Sequence, residues 1–231
     1  MIRDLKALGL ALLAVCAMSA VVASAAPASS GTLTTTGSVT ATAEQVGEHV
    51  FTLTSHPVSG GFATVKCKKA HFEGVGFLST GATSATVAPS YSECNAFGLP
   101  ATITTTGCNY RLDIGTLTEL TVHFPGGVVT GGWHVTKNVV CASGFLIRIV
   151  AQTCEVVVGS QNGLTTSTVE NGPAWHLTLK NNISKIKYTV VKDGIGCPLA
   201  KTGAFEDGHY VGTSTVAGLN VFDEPIPVSI H

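Results

Sequence analysis

The sequence predicts an all-β fold, an antiparallel β-sandwich or barrel-like sandwich of many short strands stapled by disulfides. Thr, Val and Gly dominate the chain beyond residue 26, whereas the helix-forming residues Glu, Lys, Arg and Gln are scarce. β-Branched side chains fit a pleated strand and lose rotamers in a helix. Short alternating runs separated by glycine, asparagine and proline recur roughly fifteen times, which is typical of such folds.

The first 25 residues have the layout of a secretory signal peptide. Arg3 and Lys6 precede an apolar run rich in Ala and Leu, and a small A-S-A triplet ends at Ala25. This pattern predicts cleavage after Ala25 and a secreted protein of the extracellular space or cell envelope. Two alternatives are an uncleaved anchor, since the run nearly reaches the ~20 residues that span a bilayer, and lipid attachment at Cys16. No second apolar span follows, so we expect no stable membrane insertion after processing.

Beyond the leader we expect a flexible or edge-strand lead over residues 26–45 and a single all-β domain over residues 46–231. Removing the leader leaves 11 basic and 13 acidic residues, and the longest basic run is KCKK at 66–69. A polyanion-binding surface needs clustered Lys and Arg. Nucleic acid and anionic lipid are therefore not expected as partners.

Six cysteines remain after the leader, and no two have C-x-x-C spacing. Zinc knuckles and thioredoxin-like redox sites both need such close pairs. An even count in an exported chain predicts disulfides instead. The six are Cys67, Cys94, Cys108, Cys141, Cys154 and Cys197.

Two pairing schemes are open for Cys141. It could bond Cys154, its nearest neighbour in sequence, but residues 145–151 between them predict an extended strand about 20 Å long. A disulfide needs Cα atoms within ~7 Å. In the other scheme Cys141, at a strand end, bonds Cys108, at the start of an antiparallel neighbour. Cys67–Cys94 is expected in both schemes, and Cys197 takes the cysteine that remains.

The predicted strands follow one another closely in the first half of the chain. In HVFTLTS the side chains of Phe51 and Leu53 share one face. The run TSATVAPSYSEC contains Pro89, which indicates an edge strand or a bulge. The strand runs of this half are 49–55, 62–74, 83–94, 100–107, 108–115 and 117–124.

Turn residues divide the second half. Asn171-Gly172 predicts a hairpin turn, and Asp207-Gly208 predicts another turn. In the run 183–191, strict alternation places Ile183 and Lys185 on one face and Ile186 on the other. Two further strands are expected at 209–218 and 226–230.

The histidines and the carboxylates are the candidate reactive groups of the sequence. His134 and His176 each follow a tryptophan and could form a metal pair across neighbouring strands. Outward polar positions on strands whose tryptophans face inward explain them better, so no metal site is expected. A glycosidase needs two carboxylates on one face, and Glu206-Asp207 and Asp223-Glu224 are adjacent and point apart. A hydrolase would require carboxylates to meet in space. The candidates for that are Glu119, Glu170, Glu206 and Asp223.

Flat aromatic rings on a β surface would indicate a carbohydrate-binding module. The candidate platform residues are Trp133, Trp175 and Tyr210. Trp133, Val135, Lys137 and Val139 share one strand face, so the tryptophans lie in phase with core aliphatic residues.

Four segments resemble a known family. They are ATVKCKKAHFEG, APSYSECNAFG, TGCNYRL and GHYVGTSTVAG, and they are similar to parts of secreted Thr/Gly-rich, cysteine-containing β proteins of soil actinobacteria. The resemblance implies secretion and carries over no catalytic residue.

Together these features predict a non-catalytic protein that acts through surface interactions with an unidentified surface or glycan partner. A carbohydrate-binding module and a secreted hydrolase are the alternatives. No cofactor is expected, and the sequence predicts no oligomeric state.

Overall fold

The computed structural model describes residues 30–53, 63–117, 132–195, 197, 199 and 201–231. Within these ranges the chain forms fourteen strands and a 3₁₀ turn at Pro173–Trp175. The strands are β1 (Leu33–Thr35), β2 (Thr40–Leu53), β3 (Ala63–Gly74), β4 (Ser84–Ala96), β5 (Leu99–Thr104), β6 (Cys108–Leu117), β7 (Trp133–Cys141), β8 (Ile147–Ala151), β9 (Cys154–Val158), β10 (Gln161–Asn171), β11 (Leu177–Asp193), β12 (Gly203–Leu219), β13 (Pro225–Ile226) and β14 (Val228–Ile230). The described residues contain no helix of the length and apolarity that a bilayer span requires.

The strands close into an eight-stranded antiparallel barrel, which confirms the all-β, disulfide-stapled prediction. The strands β2, β3, β4, β11 and β12 run the whole length of the barrel, and β11 pairs with β12 to close it. The rest of the wall consists of two three-stranded panels stacked along the barrel axis.

Each panel bridges β4 to β11 at a different height. One panel, β6-β7-β10, pairs with residues 84–87 of β4 and 177–181 of β11. The other, β5-β8-β9, pairs with residues 94–96 of β4 and 189–193 of β11. We call the first the plug-end panel, because the small two-stranded sheet described below closes that end of the barrel, and the second the far-end panel. No strand pairing joins them among the described residues, so a seam crosses the wall between them.

A small two-stranded sheet closes the plug end. β1 pairs with β14, and Leu33 and Ile230 pack there in an apolar cluster with Ile114, Trp133 and Leu177. The segment 26–45, expected as a flexible or edge-strand lead, therefore contains β1 and the first six residues of β2.

The disulfides follow the second pairing scheme. They are Cys67–Cys94, Cys108–Cys141 and Cys154–Cys197. A clasp between Cys141 and Cys154 is wrong because Cys141 ends β7 at the seam, whereas Cys154 begins β9 at the far end of the barrel. The extended strand β8 separates them. The prediction of a direct Cys108–Cys141 bond between antiparallel neighbours is confirmed, since these two residues are register partners.

Pro89 lies where β4 changes partners. Residues 88–92 of β4 pair with β3 on one side and with neither panel on the other. A residue without an N–H is tolerated at such a local edge. The Thr105 hydroxyl donates to the Pro89 carbonyl at 2.5 Å and fills part of the gap. The expected edge or bulge at Pro89 is thus a stretch of a long strand that is unpaired on one side.

Two predictions for the second half are wrong. Ile183 and Ile186 both point inward, because Lys185 adopts φ 59° and a bulge there shifts the register of β11 against β12. Asp207-Gly208 lies inside β12 instead of in a turn. A Cβ on Gly208 would lie 2.8 Å from the Ile186 carbonyl oxygen, so glycine allows close strand approach at this point.

The hairpin at Asn171-Gly172 is confirmed, since β10 pairs with β11 and the 3₁₀ turn connects them. The predicted strand at 117–124 lies outside the described residues from residue 118 onward.

Replacing Lys185 with glycine should stabilise the protein. A left-handed conformation strains any residue with a Cβ, and glycine removes that strain. We expect the free energy of unfolding to rise by about 0.5–1 kcal/mol in urea denaturation. Lys180→Gly, at a regular exposed position of the same strand, should lower it by about the same amount. If both variants are destabilised equally, the bulge at Lys185 is not strained.

Candidate ligand site in the barrel lumen

A cavity of about 80 Å³ lies inside the barrel at the height of the seam. Ile103, Ile147 and Ile149 of the far-end panel form an aliphatic wall on one side. The plug-end panel contributes Tyr110 and Lys137. Further side chains come from the long strands. They are His49, Phe51, Tyr91, Ile186 and Tyr210, among others. The polar groups therefore lie among largely apolar walls.

Lys137 points into the lumen from β7. It is only 5% exposed, and it alternates inward with Trp133, Val135 and Val139. Its Nζ lies 3.9 Å from the ring centroid of Tyr110 and 4.8 Å from that of Tyr210. Aromatic ring faces attract a cation in this geometry.

The Lys137 amine lacks a counterion in the part of the chain that the structure describes. No carboxylate and no hydrogen-bond acceptor contacts its Nζ among the residues that the structure describes. Burial without a partner disfavours the charged form and lowers the pKa of Lys137 to about 7. The lumen thus contains an amine that changes its charge near neutral pH.

His49 fixes the orientation of the hydroxyl of Tyr210. Its Nε2 lies 3.0 Å from the carbonyl oxygen of Thr213, so Nε2 carries the proton and donates to that oxygen. Burial lowers the pKa of His49, although the bond to Thr213 opposes this and the nearby Lys137 adds to it. In the neutral ring, Nδ1 accepts a hydrogen bond from the Tyr210 hydroxyl at 2.6 Å. Gly212 leaves room for the imidazole, because a Cβ there would lie 2.8 Å from His49 Cγ.

The tyrosine hydroxyls of the lumen stay protonated. The Tyr91 and Tyr110 hydroxyl oxygens are 3.0 Å apart. Burial raises the pKa of Tyr110 to about 12 and raises the pKa values of Tyr91 and Tyr210 as well. Phe72 packs edge-on against Tyr91, with ring centroids 5.9 Å apart. The site therefore combines one amine with neutral hydroxyl groups that can donate or accept hydrogen bonds.

The predicted glycan platform is not on the surface. Trp133 is 9% exposed and packs in the plug-end cluster, and Tyr210 is 9% exposed and lines the lumen. Trp175 belongs to the turn between β10 and β11, and its side chain lies outside the described part of the chain.

The two histidines of the Trp-His pairs are not on neighbouring strands. His134 of β7 is exposed and lies in register with Thr168 of β10, whereas His176 precedes β11. β10 separates them. In the described ranges, no group of three or more His, Cys, Asp or Glu side chains is placed to hold a metal.

The candidate carboxylates are dispersed. Glu170 pairs with Lys180 at 2.5 Å, and Glu206 pairs with Lys187 at 3.0 Å. Asp223 is exposed in the turn after β12, and Glu119 lies outside the described residues. None of the three described carboxylates lines the lumen cavity.

Lys137 and His49 carry the site, and neither was predicted as functional. Both were marked by alternation, since Lys137 is in phase with Trp133, and His49 is in phase with Phe51 and Leu53. A charged residue on the core face of a strand is an exception that calls for a partner. That signal is visible in the sequence, but the convergence of β2, β4, β6, β7 and β12 is not.

Comparison with known proteins gives no functional assignment: no family model, curated protein or solved structure matches the chain. The resemblance to secreted actinobacterial proteins stays a prediction.

Lys137→Met should stabilise the protein at low pH. Below pH 7 the amine is charged in both the folded and the unfolded state, so its full desolvation cost opposes folding. Between pH 7 and about 10.4 the unfolded chain binds more protons, so the free energy of unfolding of the wild type rises with pH. The stabilisation by the substitution should be largest at pH 6, up to about 4 kcal/mol, and should shrink toward pH 9.5.

Urea denaturation of both proteins at these pH values measures this difference. The comparison stays below pH 10 because the raised tyrosine pKa values lower stability above it. Lys201→Met, which changes an exposed lysine, should leave stability nearly unchanged. A difference between wild type and Lys137→Met that does not vary with pH would contradict a buried amine.

Proposed function

We propose that this chain is a secreted, non-catalytic binding protein whose barrel lumen holds a small organic carboxylate. The observation that carries the proposal is the Lys137 amine, which is buried beside the cavity with no counterion among the described residues. A buried charge is costly unless it is paired. A carboxylate in the cavity would supply the missing partner.

The arrangement of the lumen favours a ligand with one polar head and a short apolar body. The Lys137 amine and the tyrosine hydroxyls provide donors for the carboxylate oxygens, and Ile103, Ile147 and Ile149 provide an apolar surface. Tyr91 and Tyr110 add hydroxyl groups that stay protonated. Ligand sites commonly combine apolar walls with a few polar groups that fix orientation.

The cavity volume limits the ligand. A dry cavity of about 150 Å³ holds benzene, with six heavy atoms. The observed cavity of about 80 Å³ therefore suits roughly three to five heavy atoms on the same scale. Acetate and propionate are of this size, and medium-chain fatty acids are not.

The signal peptide pattern supports export, and three disulfides fit an oxidising compartment. The surface interaction expected from the sequence stays a prediction. The lumen is the stronger candidate because the described rings of the surface platform, Trp133 and Tyr210, point inward.

Propionate binding should depend on the protonation of Lys137. Isothermal titration of the disulfide-bonded protein should give the lowest Kd below pH 7, because only the ammonium form pairs with the carboxylate. Above pH 7 the Kd should rise about tenfold per pH unit, since binding then requires uptake of a proton. Lys137→Met should abolish binding, whereas Lys201→Met should retain it.

Two control ligands test the proposed chemistry. Octanoate exceeds the cavity and should not bind, and chloride lacks an apolar body and should bind more weakly than propionate. Chloride binding equal to that of propionate, or propionate binding that survives in Lys137→Met, would contradict the proposal.

A further inference from the structure

We propose further that Lys137 captures short aliphatic aldehydes as an imine inside the lumen. This inference rests on the proposed function in one respect, because both require small ligands to enter the cavity. It differs in chemistry, since a carboxylate pairs with the ammonium form and an aldehyde reacts with the neutral amine.

The first requirement is a neutral amine. Among the described residues, the titratable groups that face Lys137 are His49 from β2, Tyr91 from β4, Tyr110 from β6 and Tyr210 from β12. None of them is an acid that would hold the proton on the lysine at neutral pH. A desolvated lysine without an acidic neighbour is the form that acts as a Schiff-base nucleophile.

The second requirement is space beside Nζ. Lys137 lines the cavity together with Val139 and Leu164, and the far-end panel provides its opposite wall. Propanal has four heavy atoms and fits the size limit derived above. Its carbonyl oxygen could accept a hydrogen bond from a hydroxyl of Tyr91 or Tyr110, which remain protonated.

The reaction balances without an oxidant or a reductant. The nitrogen lone pair attacks the carbonyl carbon, a C–N bond forms, and the carbonyl π electrons move to oxygen. A proton moves from nitrogen to that oxygen and gives a carbinolamine. The hydroxyl group then takes up a proton, the C–O bond breaks and water leaves, which gives an iminium ion. This ion releases its N–H proton, which balances the proton taken up, and a neutral C=N bond remains. The net change is one amine and one aldehyde giving one imine and one water.

The aromatic cage assists the charged species on this path. The iminium ion that precedes the neutral imine is a cation, and it would lie over the ring faces of Tyr110 and Tyr210. Those rings already lie 3.9 Å and 4.8 Å from Nζ. Cation–π attraction is strongest where the cation is desolvated.

Reductive trapping distinguishes Lys137 from the other lysines. The chain has eight other lysines beyond residue 25, and all are exposed, at positions 66, 68, 69, 180, 185, 187, 192 and 201. At pH 7 the ordinary lysine, with a pKa near 10.4, is almost entirely protonated. The lower basicity of Lys137 offsets part of its advantage, so we expect it to be labelled about tenfold to a hundredfold faster than the exposed lysines.

The experiment incubates the disulfide-bonded protein with propanal and cyanoborohydride at pH 7, and peptide mass mapping measures N-propylation at each lysine over time. Preferential labelling of Lys137 that falls below pH 6 supports the inference. Lys201→Met should retain it. In Lys137→Met, labelling of the exposed lysines should continue at the wild-type rate, which shows that the reagents are active, and the urea denaturation described above shows that the variant is folded.

Three results would overturn the inference. Uniform labelling of all lysines would show that Lys137 has no special reactivity. Octanal labelling Lys137 as fast as propanal would show reaction through an opened barrel. Absence of label at Lys137 is interpreted with propionate binding: if propionate binds, imine capture alone fails, and if it does not, the lumen is closed and both proposals fail.

Discussion

The exchange of partners along β4 and β11 is the constraint on which the rest of the structure depends. Each strand is paired with one panel near the plug and with another at the far end, so each has a middle stretch that lacks a panel on one side. Unpaired backbone groups are costly to bury. Side chains fill the gaps: the Gln161 amide accepts from the N–H of Lys187 at 2.9 Å and donates to its carbonyl oxygen at 3.1 Å.

The same exchange creates the lumen site. Two panels that end at the seam cannot pack as continuously as a single row of long strands, and the 80 Å³ cavity lies at that height. The Cys108–Cys141 disulfide holds β6 to β7 at the edge of the seam. Tyr110 and Lys137, on these two strands, are thereby fixed at the margin of the cavity.

The alternation of apolar residues predicted the fold class and the inward faces of most strands, and the even number and wide spacing of the cysteines predicted disulfides. They failed at Ile183 and Asp207-Gly208, because a bulge at Lys185 and the close approach of Gly208 to Ile186 depend on partners far away in sequence. The Cys141–Cys154 pairing was wrong because the extended strand β8 separates the two cysteines along the barrel axis. The site itself could not be predicted, since five strands must meet before Lys137 and His49 approach the same cavity.

An eight-stranded barrel is narrow enough for its own side chains to fill it, and an aliphatic residue at position 137 would do so at lower cost than an amine. The structure instead surrounds Lys137 with aromatic faces and neutral hydroxyls, which offset part of the desolvation cost of its ammonium form. A nearby Asp or Glu would have paired the ammonium and occupied it permanently. Because no such carboxylate lines the described cavity, the amine remains available to whatever enters, and its pKa of about 7 keeps both of its protonation states populated at neutral pH. An internal carboxylate would keep the amine paired whether or not a ligand occupied the lumen, so ligand binding would gain nothing from the charge of Lys137.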